Sequence, residues 1–187
     1  QACKQKIYDF NQLPPSRQSK EAPQMIKNIF GKTGENVWVE APFHCDYGWN
    51  IEVGENFYSN YNLTILDVGK VTCGKNVQIA PNVSIYTAGH PVHPDSRNSG
   101  YEYGIPVTVG DNVWIGGNTV ILPGVTVGSN VVIGAGSVVS KDIPDNTIAA
   151  GNPCKVIREI TDEDRIYYFK KQKFDDEAWE EVKNKNK

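Results

Sequence analysis

Aliphatic residues recur every six positions through the second half of the chain, at Val109, Ile115, Ile121, Val127, Ile133 and Val139, mostly in an aliphatic-Gly-x-x-x-x frame. The same beat runs earlier through Cys73, Ile79 and Ile85, and more faintly through Val53, Ser59 and Ile65. Six is not a helical period. It fits a short strand and a turn, with an inward side chain in each repeat and Gly, Asn or Asp at the corner. A unit that small buries its apolar face only by stacking on its neighbours. The pattern predicts a mainly β protein, a single-stranded parallel β-helix.

Flanking segments follow other periods. Residues 1–36 read as an N-terminal helical segment: Lys4 to Phe10 as the end of one helix, a break at Pro14-Pro15, then a second helix capped by Ser16 or Ser19 and running to Phe30. The β-helix is expected over 37–160, opening at Val37-Trp38-Val39. One non-repetitive stretch, His90 to Pro106, interrupts it. Ile85 to Val109 is 24 residues, four hexads, so this loop (90–106) is expected to replace repeats without slipping register. Long loops on a rigid solenoid are where function concentrates. Thr161-Asp162-Glu163-Asp164 resembles a capping box and predicts a C-terminal helix within 161–187. Helices at the two ends would cover the open edges of the coil.

Composition changes the picture little. A chain of 187 residues, 39% hydrophobic and 22% charged, fits one soluble domain. A net charge of −3 provides no basic surface for nucleic acid. No apolar run reaches membrane-span length and no signal peptide is read, so neither membrane nor secretion is expected. Cys3, Cys45, Cys73 and Cys154 match neither a CxxC zinc pattern nor a disulfide scaffold, which points to a reducing, cytoplasmic setting. Cys73 holds an inward repeat position and reads as a small core hydrophobe. Gln1 falls inside an expected helix, so further residues are expected upstream.

Six segments then occur in order: Phe30-Gly31-Lys32-Thr33-Gly34-Glu35-Asn36, Cys45-Asp46-Tyr47-Gly48, Asn60-Tyr61-Asn62-Leu63-Thr64-Ile65, Thr87-Ala88-Gly89-His90-Pro91, Asn112-Val113-Trp114-Ile115-Gly116-Gly117 and Ala149-Ala150-Gly151-Asn152-Pro153. Together they resemble the maltose and galactoside O-acetyltransferases of the hexapeptide-repeat superfamily, over nearly the whole chain. The resemblance implies a left-handed coil, a homotrimer, acetyl-CoA as acetyl donor in a cleft between subunits, and a small sugar as acceptor. It implies no metal. His44, His90 and His93 do not have the spacing of the zinc-dependent hexapeptide enzymes.

The resemblance makes His90 the general base. Acetyl transfer to a hydroxyl requires removal of its proton during attack, which suits an imidazole. His93 reads as packing or hydrogen-bonding near the site. Asn60 and Asp46 match acceptor-contacting positions, as does Asp67, although Asn at a corner and Asp in a turn are also explained by backbone geometry alone. Asn62, Asn76, Asn82, Asn112, Asn118 and Asn130 read as such corners. Glu102 either accepts a hydrogen bond from the imidazole or is a solvated loop charge, and both readings stand. For the donor, the resemblance points to Trp114, Gly117, Ala135, Ser140, Lys141, Lys155 and Arg158. Gly117 N–H would meet a developing oxyanion, the small residues would admit the pantetheine arm, and the cations would meet phosphates. Asp46, Asp67-Val68 and Glu102 lean toward the maltose-type pattern, and Asn60 to Ile65 toward the galactoside type. An antibiotic or lipo-oligosaccharide acceptor, and a non-catalytic trimeric scaffold, are the alternatives.

Overall fold

The structure, a computed structural model, describes residues 2–185. Short parallel strands wind about six turns of a β-helix with three flat faces. Face I stacks Val37–Val39, Phe57–Ser59, Gln78–Ile79, Trp114–Ile115, Val132–Ile133 and Thr147–Ala150. Face II stacks Phe43–Cys45, Leu63–Leu66, Ser84–Tyr86, Val120–Ile121 and Val138–Val139. Face III stacks Ile51–Val53, Val71–Cys73, Val107–Val109 and Thr126–Val127. The hexad residues register on one another: Cys73 pairs with Val109 and Val109 with Val127, while Ile79, Ile115 and Ile133 form one column. These columns are fully buried, and each inward aliphatic contributes roughly 1.5–3 kcal/mol on leaving water. Cys73 lies in the core as expected.

The corner asparagines adopt left-handed backbone. Asn62, Asn76, Asn82, Asn112, Asn118 and Asn130, joined by Asn56 and Asn146, have φ from 55° to 64°, a region in which Asn is tolerated better than most side chains. At one corner their amides also form a ladder, Asn36 to Asn56, Asn76, Asn112, Asn130 and Asn146, with successive Nδ2–Oδ1 distances of 3.2, 2.9, 2.8, 2.9 and 2.8 Å.

The turns between faces II and III depart from the beat. Cys45 to Val53 and Ile65 to Cys73 are eight-residue steps, and Ile85 to Val109 is the 24-residue step. The long loop keeps register, but it replaces no turn of the coil. Strands on either side of it pair directly, Ile85 with Ile121 and Cys73 with Val109, so the loop is an excursion from one corner.

Helix α1 (Ala2–Asn11) and helix α2 (Pro15–Ile29) cover the first turn, burying Ile7, Phe10, Ala22, Ile26 and Ile29. Neither Ser16 nor Ser19 caps α2. Pro14 is its N-cap and Pro15 its first residue, a position where proline's missing N–H costs nothing. The Thr161 capping box forms, yet it opens a short 3-10 helix, Asp162–Ile166. A hairpin (Tyr167–Phe169 with Gln172–Lys173) follows, and the C-terminal helix begins only at Asp176.

Candidate active site

The three turns between faces II and III stack to form a wall. Asp67, in the second, is fully buried, and its carboxylate accepts three backbone N–H groups from the first. Oδ1 takes those of Asp46 and Tyr47, both at 2.9 Å, and Oδ2 takes that of Gly48 at 2.7 Å. Asn50 Nδ2 donates back to the Asp67 carbonyl at 2.8 Å. This corrects the expectation that Asp67 contacts the acceptor, since both its oxygens are committed inside the wall. Thr87 repeats the device one turn on, accepting from Gly69 N–H at 2.8 Å and donating to the Leu66 carbonyl at 2.6 Å.

From that wall the third turn runs outward. Ala88–Gly89 and Tyr103–Gly104 pair antiparallel at its neck, and His90 sits at the mouth, exposed. Its Nδ1 lies 2.9 Å from the Tyr101 carbonyl oxygen. A carbonyl only accepts, so Nδ1 carries the hydrogen and Nε2 presents a lone pair. Glu102, the residue proposed from sequence as the imidazole's partner, makes no recorded hydrogen bond to it; the neighbouring backbone takes that place. The negative charge of Glu102 instead bears on Asp46. Burial first, then Asp67 and Glu102, raise the Asp46 carboxyl above its ordinary value, and Lys4 opposes them. His93 N-caps the loop helix α3 (Pro94–Asn98), its Nδ1 accepting from Asp95 N–H at 3.2 Å.

A cleft of about 370 Å³ opens beside Asp46, lined by Ala2, Cys3 and Lys4 of α1 and by Tyr47 and Trp49. The Tyr47 and Trp49 rings lie 4.9 Å apart, tilted by 39°. Sequence reading passed over both rings and the Tyr101 carbonyl. The two eight-residue steps were the available signal, because each marks residues pushed out of the coil at this corner.

The remaining site residues occupy other parts of the coil. Asn60, Gly117 and Ala135 lie at the turn between faces I and II, with Trp114 outward on face I and 54% exposed. Asn60 Oδ1 accepts from Tyr61 N–H at 2.8 Å. Gly117 accepts from Gly136 N–H at 2.8 Å through its carbonyl, and among the described residues no carbonyl is recorded meeting its own N–H. Ala80, Gly116-Gly117, Gly134-Ala135-Gly136 and Ala150-Gly151 make this edge a shallow track of small residues. A Cβ on Gly116 would sit 2.5 Å from Ala135 N, which fixes that glycine by close stacking. Ser140 and Lys141 are exposed on the face II–III side, and Lys155 lies exposed on the antiparallel end strand Lys155–Glu159. Arg158 is engaged within the chain, its two Nη atoms 2.8 and 2.6 Å from the Asp164 carboxylate. Face II separates Asn60 and Gly117 from His90, so one chain does not bring the two groups together.

Among the described residues no three or more His, Cys, Asp or Glu side chains gather in a way that would hold a metal ion, and no helix is long and apolar enough to cross a membrane. The bacterial transferase hexapeptide family (six repeats) matches residues 106–141. The galactoside O-acetyltransferase of Escherichia coli K12 is 55% identical over 167 residues, 89% of this chain and 82% of that protein. A galactoside acetyltransferase solved in complex with coenzyme A superposes with a TM-score of 0.90 at 53% identity, covering 93% of this chain and 86% of that one. A maltose O-acetyltransferase from Clostridium difficile 630 gives 0.84 at 53% identity, over 86% of both chains.

Proposed function

The chain belongs to the galactoside- and maltose-type O-acetyltransferases of the hexapeptide-repeat transferases, and from that premise we propose that it acetylates a sugar hydroxyl by direct attack, with His90 as general base. It is an acetyl-CoA-dependent O-acetyltransferase. The observation that carries the proposed mechanism is the hydrogen bond from His90 Nδ1 to the Tyr101 carbonyl. It holds the ring in one tautomer and leaves Nε2 to take the proton of the attacking hydroxyl. The backbone partner also steadies the imidazolium that forms, because its carbonyl dipole points at the protonated ring.

The acceptor lies in the cleft beside Asp46, whose carboxyl meets its hydroxyls. The track of small residues at Gly117 and Ala135 takes the pantetheine arm, and Gly117 N–H stabilises the oxyanion on the acetyl carbonyl. Trp114 flanks that track, and Lys141, Lys155 and Ser140 meet the phosphate end. Arg158 contributes less than sequence reading assigned to it, since Asp164 already holds it. Collapse of the oxyanion expels the thiolate, and the proton on His90 passes to it. No Ser or Cys serves as covalent nucleophile. Cys45 and Cys73 have thiols pushed up by burial, which disfavours the reactive thiolate.

His90 and the Gly117–Asn60 edge lie at different corners, so the site is completed across neighbouring copies in a homotrimer. One copy supplies the loop and acceptor cleft; the next supplies the small-residue track and Asn60. Release of free thiol from acetyl-CoA, followed with a panel of hexoses, disaccharides and galactosides, tests the reading. Acceptor-dependent release with a sugar supports it. Coenzyme A binding without release for any sugar moves the acceptor to another class, and absence of both leaves a scaffold.

A further inference from the structure

The cleft beside Asp46 extends past the carboxyl that the acceptor reading uses. Its far wall is the Tyr47–Trp49 pair, 42% and 64% exposed, an arrangement in which two large rings present apolar faces to water with no partner among the described residues except each other. Such exposure has an energetic cost that a purely structural turn avoids by placing polar residues there. The rings are also held firmly. The turn that carries them is tied to the buried Asp67 carboxylate through Asp46, Tyr47 and Gly48 N–H. Gly48, at φ 79°, packs against the Ile29 backbone, and the Gly31 N–H donates to the Gly48 carbonyl at 3.1 Å. Binding to a platform so fixed has little ordering to pay for.

The chemistry around the rings selects the ligand. A pyranose has one face of C–H groups that lies on an aromatic ring and a rim of hydroxyls that needs donors and acceptors. Asp46 supplies the acceptor at the rim and Lys4 the donor. Asp46 with Glu102 behind it would repel a phosphorylated or carboxylated ligand, so the match is to a neutral sugar ring. We propose that Tyr47 and Trp49 form a second acceptor subsite, which binds the next pyranose of a disaccharide while the first is presented to His90. This rests on the sugar acetyltransferase reading above, and it makes ring count, beyond hydroxyl stereochemistry, a determinant of acceptor choice.

The test compares glucose and maltose as acceptors in the thiol-release assay, for the wild type, Trp49→Ala and Trp49→Tyr, each checked for an unchanged melting transition. The ratio of kcat/KM for maltose to that for glucose is expected to fall about threefold to tenfold in Trp49→Ala, chiefly through KM, the size of one aromatic contact. Trp49→Tyr, which restores a ring, is expected to recover most of the ratio. A ratio within about twofold of wild type in Trp49→Ala, with both sugars still acetylated, overturns the subsite and leaves the acetyltransferase reading intact. Failure of the wild type to acetylate either sugar overturns both.

Discussion

Replacing Asp67 by Asn is the sharpest probe of the wall that positions the acceptor cleft. The substitution is isosteric, so it creates no cavity in a side chain that is fully buried. The amide oxygen can keep the Asp46 and Tyr47 N–H groups, but the amide nitrogen then faces Gly48 N–H, which the carboxylate met at 2.7 Å. One charge-assisted hydrogen bond is lost, at about 1.5–3 kcal/mol, and a buried donor is left unsatisfied, at about 1–3 kcal/mol. The sum is roughly 3–5 kcal/mol. For a chain of 187 residues each kcal/mol moves the melting temperature by about 2–4 °C, so a fall on the order of 10 °C is expected. Thermal and urea unfolding followed by circular dichroism measure it. The variant should also show a raised KM for the sugar with the KM for acetyl-CoA little changed, because the turn it loosens lines only the acceptor side. A loss below about 0.5 kcal/mol, the range of an ordinary surface substitution, would refute the assignment of Asp67 as anchor.

Asp46→Asn should make the protein more stable at neutral pH, with the gain disappearing in acid. A carboxyl whose pKa is raised on folding keeps its proton more tightly in the native state, so wild-type stability declines as pH rises from the ordinary value of 3.8 through the raised one; urea midpoints at several pH values read the difference. Gly48→Ala should cost more than Gly100→Ala by at least about 1 kcal/mol, because both lie at positive φ but only the first Cβ would press on backbone, that of Ile29; paired unfolding curves decide it. Lys155→Ala should raise the KM for acetyl-CoA about tenfold, as loss of a charge-assisted phosphate contact does, and Arg158→Ala should raise it less, because Asp164 already occupies that guanidinium; equal effects would contradict the ranking.

The coil was legible because its beat is enforced by stacking: Ile115 must sit under Ile133 and over Ile79, so the period survives in the sequence. Corner asparagines were legible for a related reason, a backbone conformation that few other residues tolerate. The wall at the acceptor cleft was harder to read. Asp67 carries its role through backbone N–H groups some twenty positions earlier, which leave no trace in residue type. The Tyr101 carbonyl that orients His90 is equally silent, since any residue offers a carbonyl, and Glu102 next to it drew attention as the titratable neighbour. Ser16 and Ser19 were plausible caps that lost to Pro15, whose fixed φ starts the helix without one. The capping box at Thr161 was real but local. Its length says nothing of whether an α-helix or a short 3-10 turn follows.

The measurement that bears most directly on the mechanism is acceptor-dependent thiol release from acetyl-CoA by His90→Ala beside His93→Ala and the wild type. His90→Ala should lose about 10²–10⁴-fold in kcat, the usual size of a general base's contribution. His93→Ala, which removes only the cap of α3, should retain wild-type kcat. A folded His90→Ala enzyme within about threefold of wild type would contradict the assignment of His90 as the base.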